Sequence, residues 1–583
     1  MLSELLDKAR ADRPLWLPEL REVFLNDPTA RPVILRLTLH DGTKRDFPCA
    51  VPKWEKDEER RFCAEFFYAC VYNCLAANSG RELRLFFDTA DMELLALGSA
   101  LDTVFQVNVS ARQGYGKVVS IAGRIARSYG GPAFRFVLEN IADYSPLPEE
   151  PAKETAAPLD EKLRARCKDA SSLRLCGIDV GGTDIKLAAS DGDRLVCTKE
   201  YDWNPAAYAT AGEIIGPILL LTRLMRACVA AERALLPVEF SAALTEALEK
   251  DAPLSKIRAA VEAVEDFLGS EVNVLDGVGL SFPDIVIRDR ILGGETPKTD
   301  GMRKNTAVDY EAAFAKLGAL GDMLRGLCRE GGRVHIINDG SMAAFTAAVE
   351  LAHSEDAESL CGGVVAHSLG TDLGTGVLTA EGEIPPLPLE MYDMILDLGS
   401  FPSRAFPPED LRSTRNENSG LAGARRYMGQ AAAYRLAWKL EPRLLDGFAV
   451  LDGDLLRIAS EPQDLRKPCL ESLMRAAEEG DPAACEVFRE IGKNLAVMSR
   501  EMVYLTHPET NARFLFGRFV KRPGVFALLE EGFTAYAPEL RLIPSDEGLA
   551  KTPLMRSLAK TPEVTVAQFG QAVGAMYYAL NSL

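Results

Sequence analysis

The sequence predicts an α/β fold that carries an additional N-terminal α+β domain. Three observations predict it. Leu173–Ala189 and Val364–Leu378 each read as strand, glycine-rich turn, strand; Asp276–Pro283 and Val334–Gly340 are apolar strands that run into polar loops; and long stretches with apolar residues three and four apart separate them.

In chain order, residues 1–145 hold a strand over Pro32–Leu39, a turn at Asp41-Gly42, a helix over Asp57–Ala77 and alternating strand and helix signals from Leu83 to Val107. This predicts an α+β accessory module of its own. Ser145–Pro158, rich in proline, alanine and acid, reads as exposed, so residues 146–172 are expected to be a linker. The next lobe spans 173–345, interrupted at about 205–270 by a helical insertion read from Ala207–Leu268. Met302–Arg333 predicts a further helix. Residues 346–583 form the final lobe, with helices over Gln430–Leu440, Leu470–Leu495 and Phe569–Leu583, the last expected to pack back on the preceding lobe.

The turn Asp179-Val180-Gly181-Gly182-Thr183-Asp184-Ile185-Lys186 is the most informative stretch. An apolar strand delivers a carboxylate into a tight glycine turn and a hydroxyl. Without Cβ atoms at Gly181 and Gly182 a phosphate can approach backbone N–H groups, Thr183 adds a donor, and Asp179 can hold magnesium through water. Lys186 can neutralise phosphate, or face solvent on the returning strand.

Composition narrows the alternatives. The chain has 583 residues, too many for one core, with 47% hydrophobic and 26% charged residues, the proportions of a globular protein. A formal charge of −19 disfavours broad electrostatic binding to nucleic acid or an anionic membrane. Met1–Arg10 is already charged, which argues against a signal peptide, and the apolar run Ile214–Thr222 is too short to span a bilayer. Twelve cysteines without pairing spacing predict reduced thiols and a cytoplasmic location.

The series of motifs resembles the ROK sugar kinases and their hexokinase relatives, within the actin-like ATPase superfamily. D-x-G-G-T-x-x-K is similar to their first phosphate motif, and Gly370 and Thr371 with Gly374 and Gly376 to the second. Ser281-Phe282-Pro283 resembles the hexokinase sugar loop, Thr296–Gly301 their Thr-Lys-Gly segment, and Asn338-Asp339 the pair whose aspartate is the catalytic base. The resemblance covers roughly residues 173–583. It implies a two-lobed actin-like, ribonuclease H-like fold, ATP and magnesium as cofactors, a sugar or polyol as substrate, and no nucleic-acid or membrane partner. Kinases of this type are frequently homodimers.

Phosphoryl transfer to a sugar hydroxyl benefits from a carboxylate that accepts its proton, and Asp339 is the candidate. An aspartate at this place would equally cap a helix beginning near Ser341. Asn338, Ser281, Lys298 and Thr299 are candidate donors to substrate oxygens, the last three otherwise members of a polar loop. Gly517, after the strand Phe514–Phe516, would let adenosine lie against backbone, or simply turn the chain.

Departures from the family pattern are equally specific. The cysteine-rich zinc segment of many ROK kinases has no counterpart, so structural zinc is not expected. Glu390 matches the family's sugar-contacting glutamate, but Asp393 stands where a histidine would be. Asp372 replaces a glycine of the second phosphate loop, and Arg518 one at the adenosine border. A non-catalytic sugar or nucleotide sensor, and a ROK-type transcription regulator, are therefore the competing readings; residues 1–145 show no compact basic helix-turn-helix pattern.

Overall fold

A computed structural model describes residues 1–105, 125–126, 128–131, 134–148, 158–293, 297–370, 373–416, 419–544, 550–562 and 564–581. Its contacts divide the chain into two compact units. Unit one gathers Met1–Lys153, His367–Thr375 and Leu387–Pro544; unit two gathers Glu154–Ala366, Gly376–Pro386 and Ser545–Leu583.

The N-terminal part of unit one is built on four strands, β1 (Arg31–Thr38), β2 (Lys44–Val51), β3 (Glu82–Phe87) and β4 (Arg135–Asn140), in the order β2-β1-β3-β4. β1 pairs antiparallel with both neighbours and β4 runs parallel to β3. The helix Asp57–Asn78 starts with three acids in its first turn, and Glu59 folds back to accept from the backbone N–H groups of Glu55 and Lys56 at 2.9 and 3.2 Å.

Unit two opens with a helix where the sequence suggested a linker. Leu159, Leu163, Cys167 and Ala170 recur at helical spacing, and all four are buried in the helix Leu159–Ala170. The stripe begins directly after the acidic, proline-rich stretch, whose composition masks where the helix starts. Most of the remaining proposed linker, 149–157, lies outside the described residues.

The sheet of unit two contains β5 (Arg174–Val180), β6 (Asp184–Asp191), β7 (Arg194–Asp202), β8 (Gly277–Phe282) and β9 (Arg333–Asn338), in the order β9-β8-β5-β6-β7. β5, β6 and β7 form an antiparallel meander, while β8 and β9 run parallel to β5. The helix Val566–Tyr578 presses directly on β5 and β8. A Cβ at Gly177 would lie 1.7 Å from the Ala572 carbonyl oxygen, and one at Gly279 would lie 1.8 Å from that of Ala575. Only glycine permits this approach.

The helical insertion comprises Ala211–Ala231, Val238–Leu248 and Leu254–Leu268, the first held by a capping box between Thr210 and Glu213. The apolar run at Ile214–Thr222 thus belongs to a 21-residue helix, long and apolar enough to cross a membrane, but 78% of its most apolar window is buried inside the chain, as in a core helix. Met302–Arg333 is not one helix. Asp300–Lys304, Tyr310–Gly318 and Leu320–Arg325 are separate, because Asp309 caps a new start through the N–H of Ala312.

The rest of unit one includes a sheet of β10 (Val364–Leu369), β11 (Leu373–Leu378), β12 (Ala512–Gly517) and β13 (Arg541–Pro544), ordered β11-β10-β12-β13; its unit boundary passes within β10 and β11. The single helix read over Leu470–Leu495 is two, Arg466–Glu478 and Pro482–Thr506. Gly480, at φ +85°, breaks the first, and Asp481 caps the second before Pro482.

The N-terminal residues are not a freestanding module. Arg21 donates to both carboxylate oxygens of Glu501 at 2.7 and 2.6 Å, and both side chains are almost wholly buried. The Arg21 guanidinium also lies 3.6 Å from the Tyr504 ring centroid, and Tyr504 Oη donates to the Pro48 carbonyl at 3.0 Å. The described N-terminal residues therefore belong to the same compact unit as Leu387–Pro544.

Candidate functional site

The ends of β5, β6 and β8 in unit two bring several of the sequence-nominated residues side by side. Asp179 on β5 pairs across the hairpin with Lys186 on β6 and, on its other flank, with Ser281 on β8. One position farther along, Phe282 pairs with Asn338 at the end of β9, and Asp339 follows. Polar residues thus gather at the carboxyl ends of the parallel strands, where open α/β sheets bind ligands.

The turn between β5 and β6 is tied down from three sides. The Gly181 N–H donates to the Asp184 carbonyl at 2.8 Å, and the Trp203 N–H to that of Thr183 at 3.0 Å. Trp203 Nε1 donates to the Gly181 carbonyl at 3.0 Å. A Cβ at Gly181 would stand 2.8 Å from Asp184 Oδ1, so the glycine is required by the turn's own aspartate. Asp184 in turn pairs with Lys186, and the Thr183 hydroxyl lies 3.4 Å from its other oxygen. Trp203 and Asp184 were not singled out in the sequence. Asp184 sat in plain view beside Thr183, whereas nothing local marks a tryptophan beyond the end of β7 as the clamp of the turn.

Lys298 links the turn to the proposed base. A Cβ at Gly182 would lie 3.4 Å from Lys298 Cε, and Lys298 Nζ is 3.9 Å from Asp339 Oδ2. Asp339 is the first residue of the helix Asp339–Leu351, and its side chain is 40% exposed, open to a reacting group. The helix is capped by Asn338, whose Oδ1 accepts from the N–H groups of Gly340 at 2.8 Å and Ser341 at 3.4 Å. Asp339 Oδ1 also accepts from the Gly340 N–H at 2.9 Å, so Asp339 shares with Asn338 the capping that the sequence allowed, while its other oxygen faces Lys298. Asn338 also donates to the Asp284 carbonyl at 3.0 Å, which commits much of its side chain to the fold. Thr299 is buried beside Lys298, and the Ser281 hydroxyl is fully buried without a hydrogen bond of ordinary geometry.

Desolvation pushes the Asp179 carboxyl up to about 6. Part of the residue reaches solvent, yet protein atoms ring its carboxylate closely enough to remove most of its hydration. The Ser281 hydroxyl and the Lys186 ammonium pull the value down, and the carboxylates of Asp339 and Asp184 push it up.

These residues fit a water-shelled divalent cation better than a bare one. Among the described residues no group of three His, Cys, Asp or Glu side chains has metal-binding geometry. Magnesium usually keeps several waters and takes only one or two carboxylates beside substrate phosphates. Asp179 interacts electrostatically with both Asp184 and Asp339, with Lys186 and Lys298 as the nearby cations, so an unaccompanied polyphosphate would meet excess negative charge.

The other nominated glycines have separate settings. Gly376, in unit two, packs on the start of the Asp339 helix, where a Cβ would lie 2.0 Å from the Gly340 carbonyl oxygen. In unit one, Gly517 has φ +110° and would clash with the Leu369 carbonyl oxygen at 2.1 Å, so close strand approach demands it. Gly370 has open space at its Cβ position, and its carbonyl accepts from the Gln430 N–H at 3.0 Å. Gly374 lies on β11; Thr371, Asp372 and Thr296 fall outside the described residues.

His367 and Thr375, at the ends of the Gly370 turn, hydrogen-bond at 3.1 Å, and burial drops the His367 pKa to about 3. Glu390 directly precedes the short turn Met391–Asp393 without a side-chain capping bond to it; Asp393 is buried and its carbonyl accepts from Asn416 Nδ2 at 2.6 Å. Arg518 reaches toward Glu471 at 3.9 Å.

No protein-family model matches the sequence, and no curated protein matches it. Among solved structures, the chain is similar to a ROK family glucokinase from Streptomyces griseus in complex with glucose and AMPPNP, at 17% identity and a TM-score of 0.39, over 70% of this chain and 99% of that one. It is similar to a ROK hexokinase from Thermus thermophilus at 16% identity and a TM-score of 0.36, over 66% and 98%. It is also similar to a ROK family transcriptional regulator, a homologue of the E. coli MLC protein, at 12% identity and a TM-score of 0.37, over 70% and 81%.

Proposed function

We propose that this chain is an ATP-dependent kinase that transfers a phosphoryl group to a hydroxyl of a sugar or sugar-like polyol, on a two-lobed actin-like scaffold. The observation that carries the reading is the register that sets Lys186, Asp179 and Ser281 side by side, with Lys298 reaching from Gly182 toward Asp339. An antiparallel meander continued by two parallel strands, as in β7-β6-β5-β8-β9, is the sheet order of a ribonuclease H-like lobe and supports the scaffold.

In this reading Asp339 accepts the proton of the attacking hydroxyl as the new oxygen–phosphorus bond forms and the bond to ADP breaks. Lys298 offsets charge on the transferring group, and the Gly181–Thr183 turn, held by Trp203, offers a close approach to phosphate oxygens. Magnesium would offset phosphate charge, with Asp179 holding its water shell. Gly370, Thr371, Gly374 and Gly517 are assigned to the nucleotide and Glu390 to a substrate hydroxyl. Gly376 is assigned to packing rather than phosphate contact, because its neighbour is the helix backbone.

The test is a phosphoryl-acceptor screen across hexoses, amino sugars and polyols with ATP and magnesium. Transfer to at least one acceptor is expected. ATP binding with transfer to none would favour a sensor.

A further inference from the structure

The N-terminal residues have no role in the chemistry above, yet one of their side chains grips the segment that carries Glu390. Asn73, fully buried on the helix Asp57–Asn78, donates from Nδ2 to the Ile395 carbonyl at 2.8 Å and accepts at Oδ1 from the Ile395 N–H at 2.8 Å. Its amide thereby imitates a strand neighbour for a backbone 322 residues away. The same Nδ2 lies 3.0 Å from Glu501 Oε1, the carboxylate already bound by Arg21. Both Asn73 oxygen and nitrogen are committed, so its orientation is fixed.

The end of the same helix grips the segment again. The last carbonyls of a helix have no partner within it. Here those of Ala76 and Ala77 accept from the N–H groups of Glu390 at 3.1 Å and Leu389 at 3.2 Å. Leu389 has φ +51°, a left-handed conformation that a leucine rarely adopts, and it is buried. Such a conformation persists only where its surroundings over-determine it, and such residues gather at ligand-binding segments.

We propose that Asn73 is a positioning residue: the N-terminal region acts as a built-in brace that holds the Leu389–Ile395 segment, and with it Glu390, in the conformation that receives the substrate hydroxyl. The assignment of Glu390 to substrate rests on the kinase reading; the bracing does not. The accessory region is then part of the acceptor site's support.

The experiment compares full-length Asn73→Leu, which keeps the branched shape of the side chain but removes the amide, with Tyr504→Phe, which removes a bond between the N-terminal region and the Pro482–Thr506 helix without touching the segment. Hydrogen exchange of the Leu389, Glu390 and Ile395 amides should speed up at least tenfold in Asn73→Leu and stay unchanged in Tyr504→Phe. For the acceptor that wild type phosphorylates, Asn73→Leu should raise KM about tenfold while KM for ATP stays within twofold. Unchanged exchange overturns the brace whatever the activity. Faster exchange with an unchanged acceptor KM overturns its link to substrate. A wild type that phosphorylates no acceptor overturns the kinase reading and the substrate link together, leaving the exchange result to decide the brace.

Discussion

At the scale of single residues, Asp339 and Asp179 have different tasks because their surroundings differ. Asp339 stands at a helix start with its side chain partly exposed and a lysine 3.9 Å away; Asn338 accepts from the N–H groups of Gly340 and Ser341, and Asp339 Oδ1 from that of Gly340. Asp339→Asn should therefore lower phosphoryl transfer by about 10²–10⁴-fold while leaving ATP affinity within twofold, measured by steady-state kinetics and calorimetry. Asp179, by contrast, is held at about 6, above its ordinary value of 3.8. The folded state thus binds more protons than the unfolded state between these values, and the stability this group lends falls as pH rises through 6. Asp179→Asn should melt higher than wild type at pH 7.5 without nucleotide, and this advantage should shrink toward pH 4. An advantage independent of pH would contradict the assigned titration. The sequence displayed both aspartates because each ends a short apolar strand, a local pattern. It hid how Asn338 and Asp339 share the helix start, which depends on how each side chain turns: Asn338 accepts from Gly340 and Ser341, and Asp339 accepts from Gly340 with one oxygen and faces Lys298 with the other.

At the scale of elements, glycine decides what can touch. Gly177 and Gly279 lie inside apolar strands and look like weak points, yet each admits the backbone of the Val566–Tyr578 helix. Gly279→Ala would need a Cβ 1.8 Å from the Ala575 carbonyl oxygen, so the helix must move. A loss of about 3–5 kcal/mol is expected in urea unfolding, in the range of severe core overpacking. A loss below about 1 kcal/mol would mean the helix is not seated there. The strand–turn–strand units were legible because glycine turns between apolar runs are local signals. The reason for a glycine within a strand was not, since the opposing helix comes some 300–400 residues later in the chain. Trp203 was hidden for a different reason: only 22 residues separate it from Gly181, but its ring nitrogen reaches the turn across the folded meander, and no local pattern marks that. Helix breaks at Asp309 and Asp481 were readable in principle from aspartates that begin new caps, but apolar spacing on both sides hid them.

At the scale of the whole molecule, the main revision concerns the N-terminal residues. Composition pointed to a separate module before an acidic, proline-rich stretch, whereas Met1–Lys153 shares a compact unit with Leu387–Pro544. Sequence could not display this, because the joining bonds, such as Arg21 to Glu501, span 480 residues. That ion pair makes the union testable. Glu501→Leu leaves a buried guanidinium unpaired and should cost about 3–5 kcal/mol, while the double variant Arg21→Met with Glu501→Leu should recover most of that loss. Equal losses in the single and double variants would show that packing rather than charge is at stake.

The central claim, that the cluster around Asp179, Lys298 and Asp339 serves phosphoryl transfer, is tested most directly by following radiolabel from the γ-phosphate of ATP onto hexoses, amino sugars and polyols with magnesium. Wild type should place label on at least one acceptor, and Asp339→Asn should nearly abolish it. Label on no acceptor, or equal labelling by the two proteins, would contradict it.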